Sequence, residues 1–220
     1  MELLSLSAAP KRRPLHAGVL PLPVRRFLRL WIQLFVHVFY RVRVRGAEHL
    51  PARGPALVVA NHVSYADCFI LGAACAFPLR FVYWNKLDDV PIVGRVCRLC
   101  GGIPIASAKE DPLLLQTALE EVDDALANGE VVAIFPEGAL TRDGEIADFR
   151  AGIERVLSRR PVPVVPAALR GLWGSKMSRS VQKRMALRPA LEVLAAAALP
   201  PTASAARMRT EVSALRGAFR

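Results

Sequence analysis

Short, wholly apolar runs separated by segments of helix length are the feature that most restricts this chain. Ala56–Ala60 (ALVVA), Val131–Phe135 (VVAIF) and Val162–Leu169 (VPVVPAAL) are too short for core helices and read as strands. Shorter strands are expected at 42–46 (VRVRG), Arg80–Trp84, Ile103–Ile105 and Ala190–Leu194. Helices are expected between them at Val24–Tyr40, Ala66–Ala76, Ile92–Cys100, Asp111–Asn128, Ile153–Ser158 and Thr202–Ala218. Such alternation predicts the α/β class: a mixed, substantially parallel sheet flanked by helices, with an amphipathic helix at the N-terminal end. At 220 residues and 53% apolar content, the chain has interior enough for one such core. Residues 1–23 hold four prolines and read as a loose leader, and Pro136–Arg150 reads as a polar loop.

The formal charge of +11 comes mostly from arginines near the two ends and calls for an anionic partner. Within the first helix, the apolar run Leu30–Tyr40 would be about 16 Å long, against roughly 30 Å of hydrocarbon, so it cannot span a bilayer. Arginines on both flanks fit a helix lying in the interface of an anionic membrane. The alternative is a core helix with a solvated basic face. No small-residue cleavage site follows, so export is not expected. The organisation is therefore residues 1–45, a basic leader with an interfacial or core helix, and residues 46–220, the domain proper. Cys97-x-x-Cys100 has the spacing of a metal knuckle but lacks a nearby histidine, so Cys68, Cys75, Cys97 and Cys100 read as reduced thiols of a cytosolic core, and no metal is expected.

Several chemistries are disfavoured by missing motifs: there is no glycine-rich phosphate loop, no G-x-S-x-G elbow and no H-E-x-x-H. What remains is "LVVANHVSYADCFI", residues 57–70. On a single helix His62 and Asp67 would point about 140° apart. They meet only if His62 lies in a turn after a strand and Asp67 in the first turn of the next helix. A histidine oriented by a carboxylate suits a general base acting on a substrate hydroxyl. Ser64–Asp67 also has the pattern of a capping box, which would make Asp67 structural. A second stretch, "IFPEGALTRDGEIADFRAG" (134–152), follows another apolar strand, where open α/β sheets bind ligands. Arg142 has the planar fork for a phosphate and Gly138 permits close backbone approach, although D-G is also ordinary turn chemistry.

"NHVSYAD" resembles the His-x4-Asp motif of the glycerolipid acyltransferase superfamily, the 1-acylglycerol-3-phosphate and lysophospholipid acyltransferases. "FPEGALTRDG" is similar to its Phe-Pro-Glu-Gly motif and "VPVVPAAL" to its proline-bearing apolar block. The resemblance covers about Gly46 to Ser180 and makes 46–220 an acyltransferase domain. It implies that His62 deprotonates the acceptor hydroxyl, Asp67 orients it, and Glu137, Gly138 and Arg142 bind the acceptor's phosphate-bearing head group. The implied reaction moves a fatty acyl group from acyl-CoA or acyl carrier protein to a lysophospholipid. It needs no further cofactor and takes place at the cytoplasmic face of the cell membrane, with the enzyme peripheral or monotopic and no nucleic acid involved. The family's second motif ends in an arginine where this chain has Ser107, so Lys109 or Arg142 is expected to substitute. The rival readings are a basic nucleic-acid-binding protein and a thioesterase that uses the same histidine with water.

Overall fold

The structure, a computed structural model, describes residues 19–181 and 188–218. Its first part runs α1 (Leu22–Phe39), β1 (Arg41–Arg45), β2 (Ala56–Ala60), α2 (Asp67–Ala74), β3 (Leu79–Trp84), α3 (Pro91–Leu99) and β4 (Ile103–Ile105). The second part runs α4 (Pro112–Ala127), β5 (Val131–Ile134), α5 (Gly152–Arg159), β6 (Val164–Arg170), β7 (Ala190–Ala195) and α6 (Ala205–Arg216). The strands form one sheet in the order β1-β7-β6-β2-β5-β3-β4. All neighbours are parallel except β6 and β7, so β1 and β7 run against the other five. This is the mixed, mainly parallel α/β sheet that the alternation predicts.

Each expected element is present, with its ends displaced by at most three residues and with β2 and β4 matched at both ends. Asp111 caps α4 by accepting from the Leu114 amide at 2.8 Å, and Gly129 leaves the helix at φ 71°. Replacing Asp111 by alanine is expected to lower stability by about 1 kcal/mol, read as a shifted urea midpoint at constant slope. Ser204, accepting from the Arg207 amide, holds the start of α6 later than its periodicity suggests.

Alternation along β2 builds two cores. Ala56, Val58 and Ala60 pack with Ile70 and Leu71 of α2, and Val36 of α1 belongs to the same cluster. Leu57 and Val59 lie in the other cluster with residues of α4, α5 and α6, including Val122, Val156 and Met208. Burial on both faces explains why β2 reads as an unbroken apolar run. The segment 136–150, expected to be a polar loop, contributes buried Leu140, Ile146 and Phe149. Their irregular spacing gave no periodic signal.

α1 is turned inside out. Three of its polar residues face the protein: Arg25 pairs with Glu130, Arg29 donates to the Cys75 carbonyl at 2.8 Å, and Gln33 donates to the Ala73 carbonyl at 2.7 Å. Phe27, Leu30, Trp31, Leu34, Phe35, Val38 and Phe39 are each at least half exposed. The helix starts at Leu22, with Pro21 as N-cap and Pro23 in the first turn, where a missing N–H costs nothing. The loose leader therefore ends before residue 23, and residues 1–18 of it lie outside the described residues. Of the two sequence alternatives for this helix, the core helix with a solvated basic face is not met: the exposed face is mainly apolar, and Arg25 and Arg29 are turned to the protein. At its C-terminal end the chain enters β1, whose parallel pairing with β7 ties the N-terminal segment into the sheet.

Below the sheet, Arg80 of β3 is fully buried. It donates to the Gly101 carbonyl at 2.6 Å, to Glu121 at 2.6 Å and to Glu130 at 3.0 Å. Glu130 also receives Arg25, so α1, β3, α4 and the entry to β5 share one ionic cluster.

Candidate active site

β2 ends at Ala60, and its continuation is held by a side chain. Asn61 is fully buried, donates to the Leu169 carbonyl at 3.1 Å and accepts from the Leu169 amide at 2.8 Å. This extends the β2–β6 pairing by one side chain and sets the exit direction of the chain. His62 follows in the turn and Asp67 opens α2, as the spacing required.

His62 Nδ1 and Asp67 Oδ2 are 2.9 Å apart. The same oxygen accepts the amides of Val63 at 2.7 Å and Ser64 at 2.9 Å, so it is an acceptor three times over. The ring proton therefore sits on Nδ1, which leaves Nε2 with a lone pair to take a proton. One oxygen of Asp67 thus serves both the turn and the ring; the full capping box is not formed, since Ala66 precedes α2 and Ser64 Oγ accepts from the Ala66 amide instead of the Asp67 amide. Asp67 is fully buried and its Oδ1 has no partner among the described residues. The His62 ring lies on Phe135, with centroids 4.2 Å apart and planes 9° from parallel. Only 22% of its side chain is exposed, so the base reaches solvent through a narrow opening.

Glu137 is oriented toward the backbone. One carboxylate oxygen accepts the His62 amide at 2.7 Å and the other accepts the Ala147 amide at 2.9 Å. Burial pushes its carboxyl above the usual range, even though those two amides hold it down. The His62 carbonyl accepts from the Thr141 amide at 3.0 Å. Thus the ring, the N–H and the C=O of His62 are each fixed by a different residue. Gly138 has φ 71°, and a Cβ there would meet the Arg150 guanidinium at 2.4 Å. Arg150 in turn donates to the Glu137 carbonyl at 3.3 Å.

The segment after β6 braces the same turn. Ser178 donates to the Val63 and Leu172 carbonyls at 2.9 and 2.7 Å, and Tyr65 donates its amide to the Met177 carbonyl at 3.0 Å. Ser64 turns its hydroxyl to that carbonyl and accepts from the Ala66 amide, so it is not offered as a nucleophile.

Not every expected residue reaches the dyad. Arg142 is exposed in the loop after Glu137 and makes no side-chain hydrogen bond or ion pair with any described residue. Lys109 is exposed in a turn in which Ser107 donates its hydroxyl to Glu110 at 2.8 Å. Those Ser107 contacts hold the Glu110 carboxyl below its usual range, and the nearby charges of Lys86 and Arg150 add to the effect. Lys86 and Arg150, neither of which the motifs single out, thus both act on the turn that holds Ser107. Phe135, Asn61, Thr141 and Ser178 were also missed, although Phe135, Asn61 and Thr141 stand inside the two motifs. Of the four cysteines, all free thiols, only Cys75 is a core residue. Burial pushes the Cys68 and Cys75 thiols up to about 12 and raises Cys97 and Cys100, so all four stay protonated at neutral pH.

His62 and Asp67 thus stand at the carboxyl ends of the parallel strands of the sheet, where open α/β folds bind ligands. The acyltransferase family model matches residues 41–170, more than half of the chain, and the chain belongs to that family. It is 30% identical to the chloroplastic 1-acyl-sn-glycerol-3-phosphate acyltransferase of Arabidopsis thaliana over 74% of this chain and 43% of that protein. With the Chlamydomonas reinhardtii enzyme of the same name it shares 33% identity over 80% of this chain and 52% of that protein. A lyso-ornithine lipid O-acyltransferase of Rhodobacter capsulatus is 29% identical over 73% of this chain and 59% of that protein. The chain thus spans about half the length of the curated relatives it matches. Its fold matches the crystal structure of the 1-acyl-sn-glycerophosphate acyltransferase PlsC from Thermotoga maritima with a TM-score of 0.68 and 23% identity. That match covers 87% of this chain and 78% of the other.

Proposed function

We propose that this chain is an O-acyltransferase that works at a membrane surface, moving a fatty acyl group from a thioester donor to the free hydroxyl of a lysophospholipid. The observation that carries the reading is the His62–Asp67 pair, with Nδ1 committed to the carboxylate and Nε2 left as the base. Nε2 takes the hydroxyl proton as the acceptor oxygen attacks the thioester carbonyl. The tetrahedral centre collapses, the C–S bond breaks, and the imidazolium returns its proton to the leaving thiolate. The products are an ester and a free thiol, with no acyl group carried on the protein. Asp67 stabilises the imidazolium between the two steps. Cations stand on both flanks of Glu137, Arg150 on one and Arg142 on the other, to meet anionic substrates.

A screen of lysolipid acceptors against acyl-CoA and acyl carrier protein, read by mass spectrometry and thiol release, tests the reaction. Thiol release that depends on a lysolipid supports transfer. Equal release without one makes the protein a thioesterase.

The membrane part of the reading rests on α1, whose apolar residues point outward and whose surroundings are rich in arginine. No helix among the described residues is long and apolar enough to cross a membrane. We propose peripheral attachment to the anionic cytoplasmic leaflet through α1. The protein is expected to co-sediment with anionic vesicles in preference to an oligonucleotide, with binding that weakens as salt rises. Replacing Phe27, Trp31 and Phe35 together by serine is expected to reduce vesicle binding by at least tenfold, since each removes a large buried apolar area from the interface. Undiminished sedimentation of that variant would place the attachment elsewhere.

A further inference from the structure

Behind Glu137, on the side of β6 and α6, lies a groove of about 650 Å³ that the reaction as written above leaves unused. Its volume suits a ligand of cofactor size. Glu137 and Thr141 line its inner end, and Arg142, Arg179 and Arg209 line its length. Arg209, on α6, is braced by the Ile146 carbonyl at 3.1 Å and the Ala147 carbonyl at 3.2 Å. Its one carboxylate neighbour, Asp148, is 3.5 Å away and 95% exposed, so water screens that pair. Arg142 and Arg179 make no side-chain hydrogen bond or ion pair with any described residue. The other acids of the groove are engaged: Asp143 accepts from Thr141 Oγ1 and the Glu145 amide, and Glu145 pairs with Arg216 at 2.7 Å. Two arginines without partners and a third held in place form a set of forks suited to phosphate oxygens.

We propose that this groove binds the phosphate groups of the acyl-thioester donor; the inference rests on the acyltransferase reading above. Two observations separate donor from acceptor. First, the groove belongs to the face of the sheet that carries Leu57, Val59, Ile146 and α6, whereas the outward-apolar α1 covers the face that carries Val58 and Ala60. A lipid acceptor arrives from the α1 side and a water-soluble donor from the other. Second, Lys86 after β3 and Arg150 both act on Glu110, which follows β4, and β3 and β4 lie on the opposite side of β2 and β5 from β6. Two phosphate-bearing substrates therefore have two basic edges. The assignment moves Arg142 from acceptor to donor and leaves Arg150 and Lys86 to the acceptor's head group.

The test measures binding and kinetics in parallel. Calorimetry with unacylated coenzyme A reads the groove without any turnover. Arg179→Ala and Arg209→Ala, with unchanged thermal melts, are each expected to weaken coenzyme A binding about tenfold, the usual scale for a lost charge-assisted contact. KM for acyl-CoA should rise by a similar factor. The preference in kcat/KM for acyl-CoA over a phosphate-free donor, an S-acyl-N-acetylcysteamine, should shrink correspondingly. Arg150→Ala should instead raise KM for the lysolipid. Titrating 3′,5′-ADP and 4′-phosphopantetheine separately identifies the phosphate held: the first belongs to coenzyme A alone, the second also to acyl carrier protein. A rise in KM for the lysolipid in Arg179→Ala, or coenzyme A binding indifferent to both arginines, overturns the assignment. Tight coenzyme A binding by a wild type that acylates no acceptor would leave the groove in place and sink the acyltransferase reading instead.

Discussion

His62→Ala is expected to abolish lysolipid-dependent thiol release, with a loss of about 10²- to 10⁴-fold in kcat, the usual contribution of a positioned base. The fold should survive, because the ring lies at the edge of the core on Phe135 and its loss frees one oxygen of Asp67 that two amides still occupy. An unchanged thermal melt with collapsed turnover is the expected pair of results, and full turnover in this variant would refute the mechanism. Asp67→Ala should differ in kind. It removes the acceptor for the Val63 and Ser64 amides, both buried, and unpaired buried donors cost about 1–3 kcal/mol each. Activity and stability should then fall together, which separates the orienting carboxylate from the base.

The second large effect is expected far from the chemistry. Arg80→Met keeps most of the side-chain volume yet strips Glu121 and Glu130 of their shared cation in the interior. Breaking a buried ion pair in this way costs about 3–5 kcal/mol, a large share of the stability of an ordinary domain. The midpoint of chemical unfolding should fall accordingly. A variant with Arg80→Met and Glu121→Gln should recover part of the loss, since one of the two carboxylates that lose the buried guanidinium is neutralised with it. Equal stability of Arg80→Met and wild type would mean that the cluster contributes nothing net.

What the sequence disclosed was whatever depends on neighbours along the chain. The strand–turn–helix from Leu57 to Ile70 was legible because only that geometry lets residues five apart meet, and the structure joins them through Nδ1 and Oδ2. α4 was legible from its periodicity, its Asp111 cap and its Gly129 stop. The mixed sheet was legible in class, but the order of strands was not, since β1 pairs with β7 across about 150 residues. Glu137 stood out through its motif, yet its grip on the amides of His62 and Ala147 is a matter of backbone geometry that no side-chain pattern encodes. Arg80 reads only as the start of a strand; its partners at 101, 121 and 130 become neighbours only when the sheet forms. Arg150 and Lys86 escaped notice for the same reason, while Lys109, adjacent in sequence to the position of interest, points to no partner.

α2 is eight residues long, so it spans about 12 Å. At one end it carries the carboxylate that holds the imidazole, and at the other Arg29 and Gln33 of α1 grip the Cys75 and Ala73 carbonyls. With attachment through α1 as proposed, the height of the His62 nitrogen above the hydrocarbon would be set by a rigid strut. An alcohol must rise to that level to react, whatever head group it carries, and adding a turn to the strut would lift the nitrogen out of its reach.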